Sequence, residues 1–160
     1  MPDLLALAFS SFVLIFPAFI ANSVPVLARG RHPIDLGRFL WDGKRVLGDG
    51  KTFEGFFAGL FMGTLAGAIV GYPLHSFLLA LGALAGDIVG AFVKRRLGIA
   101  RGNPAPLLDQ LDFVIGALLF VYPIYQYSLE QLLFIVIVTP PIHLLANYVA
   151  YIFKLKPNPW

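Results

Sequence analysis

Five long apolar stretches fill most of the 160-residue chain, and they restrict its fold more than any other feature. A transmembrane helix needs about 20 mainly apolar residues. Apolar residues make up 58% of the sequence, against roughly 45–50% in a soluble domain. We therefore predict an all-α integral membrane protein with one membrane domain, residues 1–160. The five predicted transmembrane helices are Leu4–Ala28, Phe53–Gly71, Ser76–Val93, Leu111–Tyr127 and Leu129–Phe153.

The basic residues predict the orientation of these helices. Six of the 12 Lys and Arg residues lie in 29–51, four in 94–101, and the last two are Lys154 and Lys156. In a chain of five spans these segments share one side, which the positive-inside rule makes cytoplasmic. We predict an external N-terminus, a cytoplasmic C-terminus, and cytoplasmic loops over about 29–52 and 94–110. The ending LKPNPW, with its lysines and Trp160, is expected at the membrane interface.

An acid inside the third apolar stretch is the first candidate functional residue. Placing Asp87 in hydrocarbon costs about 2.5–3.5 kcal/mol even on the lenient insertion scale, which favours a functional role. Helical spacing puts Ala83, Asp87, Gly90 and Lys94 on one face, directed into the bundle. Two structural alternatives are a buried ion pair and a protonated acid bonded to a backbone carbonyl.

Two further acids, Asp109 and Asp112, lie three residues apart at the start of the fourth stretch, after Pro104 and Pro106. Their carboxylates can share a helix face and one cation, because Mg²⁺ commonly takes one or two carboxylates plus substrate phosphates. The alternative is that they only complement the helix dipole. Cysteine is absent, so thiolate ligands are excluded. We predict magnesium at Asp87, Asp109 and Asp112.

The loop before the second stretch carries the run Gly48-Asp49-Gly50-Lys51-Thr52. Glycines let a backbone approach phosphate closely, and a helix N-terminus favours anions. We therefore predict that this run binds phosphate. It is not a P-loop, because Arg45 stands where that motif needs glycine. The alternative is a solvated loop in which Thr52 caps the helix.

Glycines recur every four residues in the second and third stretches. Small residues at this spacing let helices pack closely in lipid. We predict that these two helices pack against each other through their glycines and are joined by a turn at 72–75. His143, beside Pro140 and Pro141 in the fifth stretch, is expected to be a structural hydrogen-bonding residue.

The segment from Gly86 to Asp112 resembles the signature of the CTP-dependent phosphatidate cytidylyltransferases. The similarity lies in Gly86-Asp87, Lys94-Arg95 and Asp109-Gln110-Leu111-Asp112. The chain departs from that pattern at Gly90–Ala91, at 106–108 and at Gln110. These departures, the short chain and the Gly48–Thr52 run resemble the archaeal branch, the CDP-archaeol synthases.

The resemblance implies an enzyme that transfers CMP from CTP to an ether-lipid phosphate, 2,3-bis-geranylgeranyl-glycerol 1-phosphate. The products would be CDP-archaeol and pyrophosphate. The implied catalytic residues are Asp87, Lys94, Asp109 and Asp112, with Mg²⁺ as cofactor. Lys51, Lys94 and Arg95 would contact phosphate, and Gly48–Thr52 would form part of the nucleotide site. The implied partners are CTP and membrane lipids but no nucleic acid, and a homo-oligomer remains open. The enzyme would lie in the cell membrane with a cytoplasmic active site.

Two other functions use the same residues. A CTP-dependent polyprenol or lipid kinase would direct attack to the γ-phosphorus instead. A small transporter would use Asp87 as an ion site. A CDP-alcohol phosphotransferase is disfavoured because the sequence lacks the DGxxAR signature of that class.

Overall fold

A computed structural model describes residues 3–160 as five helices, with two long loops at one end of the bundle. Two short connections, 69–72 and 122–128, lie at the other end. Apart from two isolated bridges, Pro33 with Thr52 and Phe39 with Arg45, no β-structure occurs in the described part of the chain. The helices are α1 (Leu4–Ala28), α2 (Phe53–Ala68), α3 (Pro73–Arg96), α4 (Leu108–Val121) and α5 (Leu129–Ile152).

Three of the five helices are long and apolar enough to cross a membrane, namely α1, α3 and α5. The apolar α2 has 16 residues and α4 has 14. At 1.5 Å per residue these two helices extend only about 24 and 21 Å, less than the roughly 30 Å hydrocarbon core. The predicted five-helix, all-α fold is confirmed, whereas a full crossing by α2 and α4 stays a prediction.

Helix boundaries differ from the prediction by up to six residues. The bounds of α1 match, but α3 begins at Pro73 instead of Ser76 and continues beyond Val93 to Arg96. Proline fits a first helical turn because its missing N–H would have no intrahelical acceptor there. The fourth helix begins three residues before Leu111 and ends six before Tyr127. The length of an apolar run therefore did not predict the residues at which the helical hydrogen bonds begin and end.

The predicted packing of α2 against α3 is confirmed, but the glycines of α3 do not form this contact. Gly82, Gly86 and Gly90 lie against α4, at Gly116 and Asp112. The glycines of α2 lie mainly against α1: a Cβ on Gly63 would come within 2.8 Å of the Ala21 Cβ and 2.9 Å of the Pro17 carbonyl oxygen. The glycines of α2 thus allow close contact mainly with α1, and those of α3 allow close contact with α4. Helix α3 packs between α4 on one side and α1 and α2 on the other.

The last helix, α5, packs on α1 and α4 at the edge of the bundle. Only Ile135 and Thr139 of its 24 residues are buried. Most of its apolar side chains are therefore available to lipid.

The three basic segments meet at the same end of the bundle, as predicted from the charge distribution. Arg96, at the end of α3, donates to Asp42 in the first long loop at 2.8 Å. Asn158 in the C-terminal segment donates to the Gly102 carbonyl in the second long loop at 3.2 Å. His75 lies at the opposite end, buried beside Tyr127.

Candidate active site

Lys51 and Asp87 form an ion pair between the first long loop and α3. Their side chains are 26% and 23% exposed. The Asp87 carboxylate is therefore mostly covered by the protein and does not point out into lipid. This is the ion pair that the sequence left open as a structural alternative for Asp87. The pair also brings together two residues predicted separately, one for phosphate and one for magnesium.

A second ion pair joins α3 to α4. The Lys94 ammonium donates to both Asp109 carboxylate oxygens, at 2.8 and 3.0 Å, and to the Asn103 carbonyl at 2.9 Å. Asp109 also accepts the Ala105 N–H at 2.8 Å. Lys94 and Asp109 therefore hold the second long loop in place as well as lying in the predicted site.

Asp112 occupies the space that Gly90 leaves open. A Cβ on Gly90 would overlap the Asp112 carboxylate, so a larger residue at this position would not fit this arrangement. Asp112 also lies within electrostatic range of Asp87, Lys51 and Asp109. Asp87 and Asp109 are thus each paired with a lysine, whereas no lysine or arginine pairs with Asp112 within residues 3–160.

The three carboxylates predicted to bind magnesium do not form a preorganised coordination site. Among residues 3–160, no three His, Asp or Glu side chains converge in an arrangement that could hold a metal ion by themselves. The donor chemistry nevertheless suits magnesium, because this ion prefers oxygen ligands and usually completes its shell with water and substrate phosphates. Asp87 and Asp112 are the carboxylates that fit such an arrangement.

The Gly48–Thr52 run is shaped by Asp35, a residue that the sequence analysis did not single out. The buried Asp35 carboxylate accepts the N–H groups of Leu47 and Gly48, at 3.0 and 2.8 Å, and Arg45 donates to it at 2.7 Å. Burial alone would raise the pKa of Asp35, but these hydrogen bonds outweigh it and hold the pKa well below its ordinary value. The same contact raises the pKa of Arg45.

Within this run, the residues differ in what they can offer to phosphate. The Gly48 N–H is already used by Asp35. Thr52 caps α2 by accepting the Gly55 N–H at 3.2 Å, which matches the capping alternative. Asp49 pairs with Arg45 at 2.9 Å. The Lys51 ammonium is already paired with Asp87, and Gly50 is the residue of the run whose groups these contacts do not use.

Arg95 is the remaining predicted phosphate contact. Its Nε is buried and has no hydrogen-bond partner within residues 3–160. A buried guanidinium nitrogen without an acceptor favours an anionic ligand, since leaving such a donor unsatisfied is costly. The Nε of its neighbour Arg96 is likewise buried without a partner among the same residues, although the other two guanidinium nitrogens of Arg96 donate to Asp42 and to the Arg45 carbonyl.

A polar row on α5 and in the C-terminal segment also reaches this end of the bundle, and the sequence analysis missed it. The Asn147 amide nitrogen lies 3.3 Å from Nδ1 of His143, and Lys156 donates to the Asn147 Oδ1 at 2.9 Å. Spacing hides the row, because Lys156 lies beyond the end of the helix. The prediction of Lys156 at the membrane interface therefore did not include its contact with Asn147.

Comparison with known proteins supports the resemblance noted in the sequence. A solved structure described as an intramembrane enzyme for archaeal membrane lipid biosynthesis superposes with a TM-score of 0.81 at 48% identity, covering 87% of this chain and 93% of that chain. The CDP-archaeol synthase of Pyrococcus abyssi is 47% identical, over 95% of this chain and 98% of its own length. That of Methanococcus aeolicus is 42% identical over 99% of both.

The fold and the charged end of the bundle thus define an intramembrane enzyme. The family model described as CarS-like, CDP-archaeol synthase, matches residues 4–75 and 68–160, and the chain belongs to this family. The expectations that the protein is an enzyme and a cytidylyltransferase of this family are confirmed. The individual roles of the site residues stay predictions.

Proposed function

We propose that the protein transfers CMP from CTP to the phosphate of 2,3-bis-geranylgeranyl-glycerol 1-phosphate. A lipid phosphate oxygen attacks the α-phosphorus of CTP, the bond between the α-phosphorus and the bridging oxygen breaks, and pyrophosphate leaves. The products are CDP-archaeol and pyrophosphate. The observation that carries this proposal is membership of the CDP-archaeol synthase family over nearly the whole chain.

The attacking phosphate is already anionic at neutral pH, so the reaction needs no general base. The protein's task is to position two anionic substrates and to balance their charge. Lys51, Lys94 and Arg95 supply cationic groups at the end of α3 and in the loop beside it. In this proposal Lys51 exchanges the Asp87 carboxylate for a nucleotide phosphate when CTP binds.

Magnesium is the proposed cofactor, held by Asp87 and Asp112. Bound there, it would supply positive charge to the phosphates of CTP. Asp109 acts differently: it fixes the Lys94 ammonium and the Ala105 N–H, which positions the second long loop. This division of roles follows from the contacts of the three acids and refines the single three-acid site expected from the sequence.

The proposed site faces the cytoplasm, where CTP is available. All three basic segments lie at the site's end of the bundle, and basic loops are retained on the cytoplasmic side. In this orientation all five helices cross the bilayer, with α2 packed on α1 and α3 and with α4 packed on α3 and α5.

The test is to incubate the purified protein with α-³²P-labelled CTP, MgCl₂ and the ether-lipid phosphate in detergent micelles. Label in the lipid product supports cytidylyl transfer. Label left in CDP, with a phosphorylated lipid product, would support the kinase alternative instead. The transporter alternative is not retained, because the family consists of synthases.

A further inference from the structure

Lys156 is a cation at the charged end of the bundle to which the proposed reaction assigns no role. Its ammonium donates to the Asn147 Oδ1 at 2.9 Å and to the Trp160 carbonyl at 2.8 Å. Burial lowers the pKa of Lys156, and its charge lies within electrostatic range of Asp109 and Asp87. A lysine so placed belongs spatially to the charged end of the bundle rather than to its outer surface.

The polar row of His143, Asn147 and Lys156 runs from the C-terminal segment along α5 to a contact with α4. The His143 ring lies over Phe113, with 6.0 Å between ring centroids, and Phe113 directly follows Asp112 in α4. His143 thus contacts α4, and Asn147 and Lys156 continue the polar row from His143 to the C-terminal segment.

The C-terminal segment is tied across the second long loop. The indole Nε1 of Trp160 donates to the Gly102 carbonyl at 2.7 Å, and the Asn158 amide donates to the same oxygen at 3.2 Å. These two hydrogen bonds keep Lys156 between α5 and the loop that follows Lys94.

The surroundings of Lys156 suit an amphiphile rather than a nucleotide. An open cavity of about 630 Å³ is lined by Tyr151, Ile152, Lys154, Leu155, Lys156 and Pro157. It combines apolar side chains with ammonium groups at the end of α5. The helix that leads to this cavity, α5, leaves most of its surface to lipid.

We propose that Lys156, oriented by Asn147, binds the phosphate of the lipid acceptor, while Lys51, Lys94 and Arg95 bind the phosphates of CTP. This inference rests on the proposed function, since it names the acceptor subsite of the same reaction. The two substrates would then approach from different sides, the lipid along α5 and the nucleotide from the aqueous loops.

The test compares Lys156→Met with wild type in the full-length protein, using labelled CTP and the ether-lipid phosphate. Loss of a charged hydrogen bond is expected to raise KM for the lipid phosphate about tenfold or more, with KM for CTP unchanged. Lys156→Arg should restore much of the lipid affinity. Arg38→Met is the matched control, because Arg38 is an exposed cation with no side-chain hydrogen bond or ion pair to the rest of residues 3–160.

A second variant, Trp160→Phe, removes only the indole donor and should raise the lipid KM in the same direction by a smaller factor. Equal increases in both KM values, a change confined to kcat, or no change in Lys156→Met would overturn the inference. Absence of label transfer by the wild-type protein is a separate result, because it would reject the proposed function itself. Thermal melting of each variant separates these outcomes from misfolding.

Discussion

At the scale of single residues, the arrangement of the site is set by the contacts that each of its three acids makes. Asp87 meets Lys51, Asp109 meets Lys94, and Asp112 fits into the gap beside Gly90. The identities of the three acids and of both lysines could be predicted from sequence, because charged residues inside or next to apolar helices are costly. Their pairing could not, since it depends on the relative rotation of α3 and α4 and on the path of a loop.

Asp87→Asn is expected to lower kcat/KM by about 100-fold or more, because it removes a carboxylate charge proposed to hold magnesium. The melting temperature should change little, since the side chain is partly exposed. Asp42→Asn, which removes an acid from the loop beyond the site, is the control and should retain most activity. Near-normal turnover by Asp87→Asn would exclude this acid from the site.

Gly90→Ala tests the fit between α3 and Asp112. The added methyl group would overlap the carboxylate, so the acid must move and activity should fall by at least about tenfold. Val89→Ala, a change on the exposed side of α3, should have little effect. Wild-type activity in Gly90→Ala would show that the position of Asp112 is unimportant.

At the scale of helices, glycine rows decide which helices touch. The four-residue spacing predicted close packing, and that part was confirmed. The predicted contact between α2 and α3 was also confirmed, but the glycines of α3 lie against a different helix, because a glycine row admits whichever helix the remaining side chains direct toward it. For α3 that helix is α4, where Gly116 offers a second small surface.

Gly63→Leu should destabilise the bundle, because even its Cβ would lie 2.8 Å from Ala21 and 2.9 Å from Ala80. Overpacking of this kind typically costs about 1–3 kcal/mol, which corresponds to a loss of several degrees in melting temperature. Met62→Phe adds bulk at the neighbouring exposed position and is the control. An unchanged melting temperature in Gly63→Leu would contradict the close packing of α1, α2 and α3.

At the scale of the whole molecule, the first long loop is a folded element attached to the end of the bundle. Its centre is the Asp35 carboxylate, which binds Arg45 and the N–H groups of Leu47 and Gly48. Composition alone did not identify this acid, since nothing in the spacing of Asp35 separates it from Asp42 or Asp49. The loop thereby sets the position of Lys51 over α3.

The Asp35 contacts predict a pH dependence. Because folding lowers the pKa of Asp35, its contribution to stability is present above the ordinary value of 3.8 and is lost as pH falls below it. Asp35→Asn should lower the melting temperature by about 5–10 °C at pH 7. The gap between variant and wild type should narrow when melting is measured near pH 3; a gap independent of pH would contradict the assignment.

Orientation can be tested in the same molecule because the sequence contains no cysteine. Trp41→Cys lies in the first long loop and Gln126→Cys in the connection at the opposite end. In intact cells, a membrane-impermeant maleimide should label Gln126→Cys and not Trp41→Cys. Labelling of Trp41→Cys alone would reverse the proposed topology.

The Lys51–Asp87 pair also has an electrical consequence. A lone carboxylate part-way through the bilayer would couple the folded state to the voltage across the membrane, since moving one charge through 100 mV is worth about 2.3 kcal/mol. An adjacent ammonium cancels that charge, and the pair as a unit is nearly insensitive to the field. Lys51 and Asp87 together thus present little net charge on which a membrane potential could act.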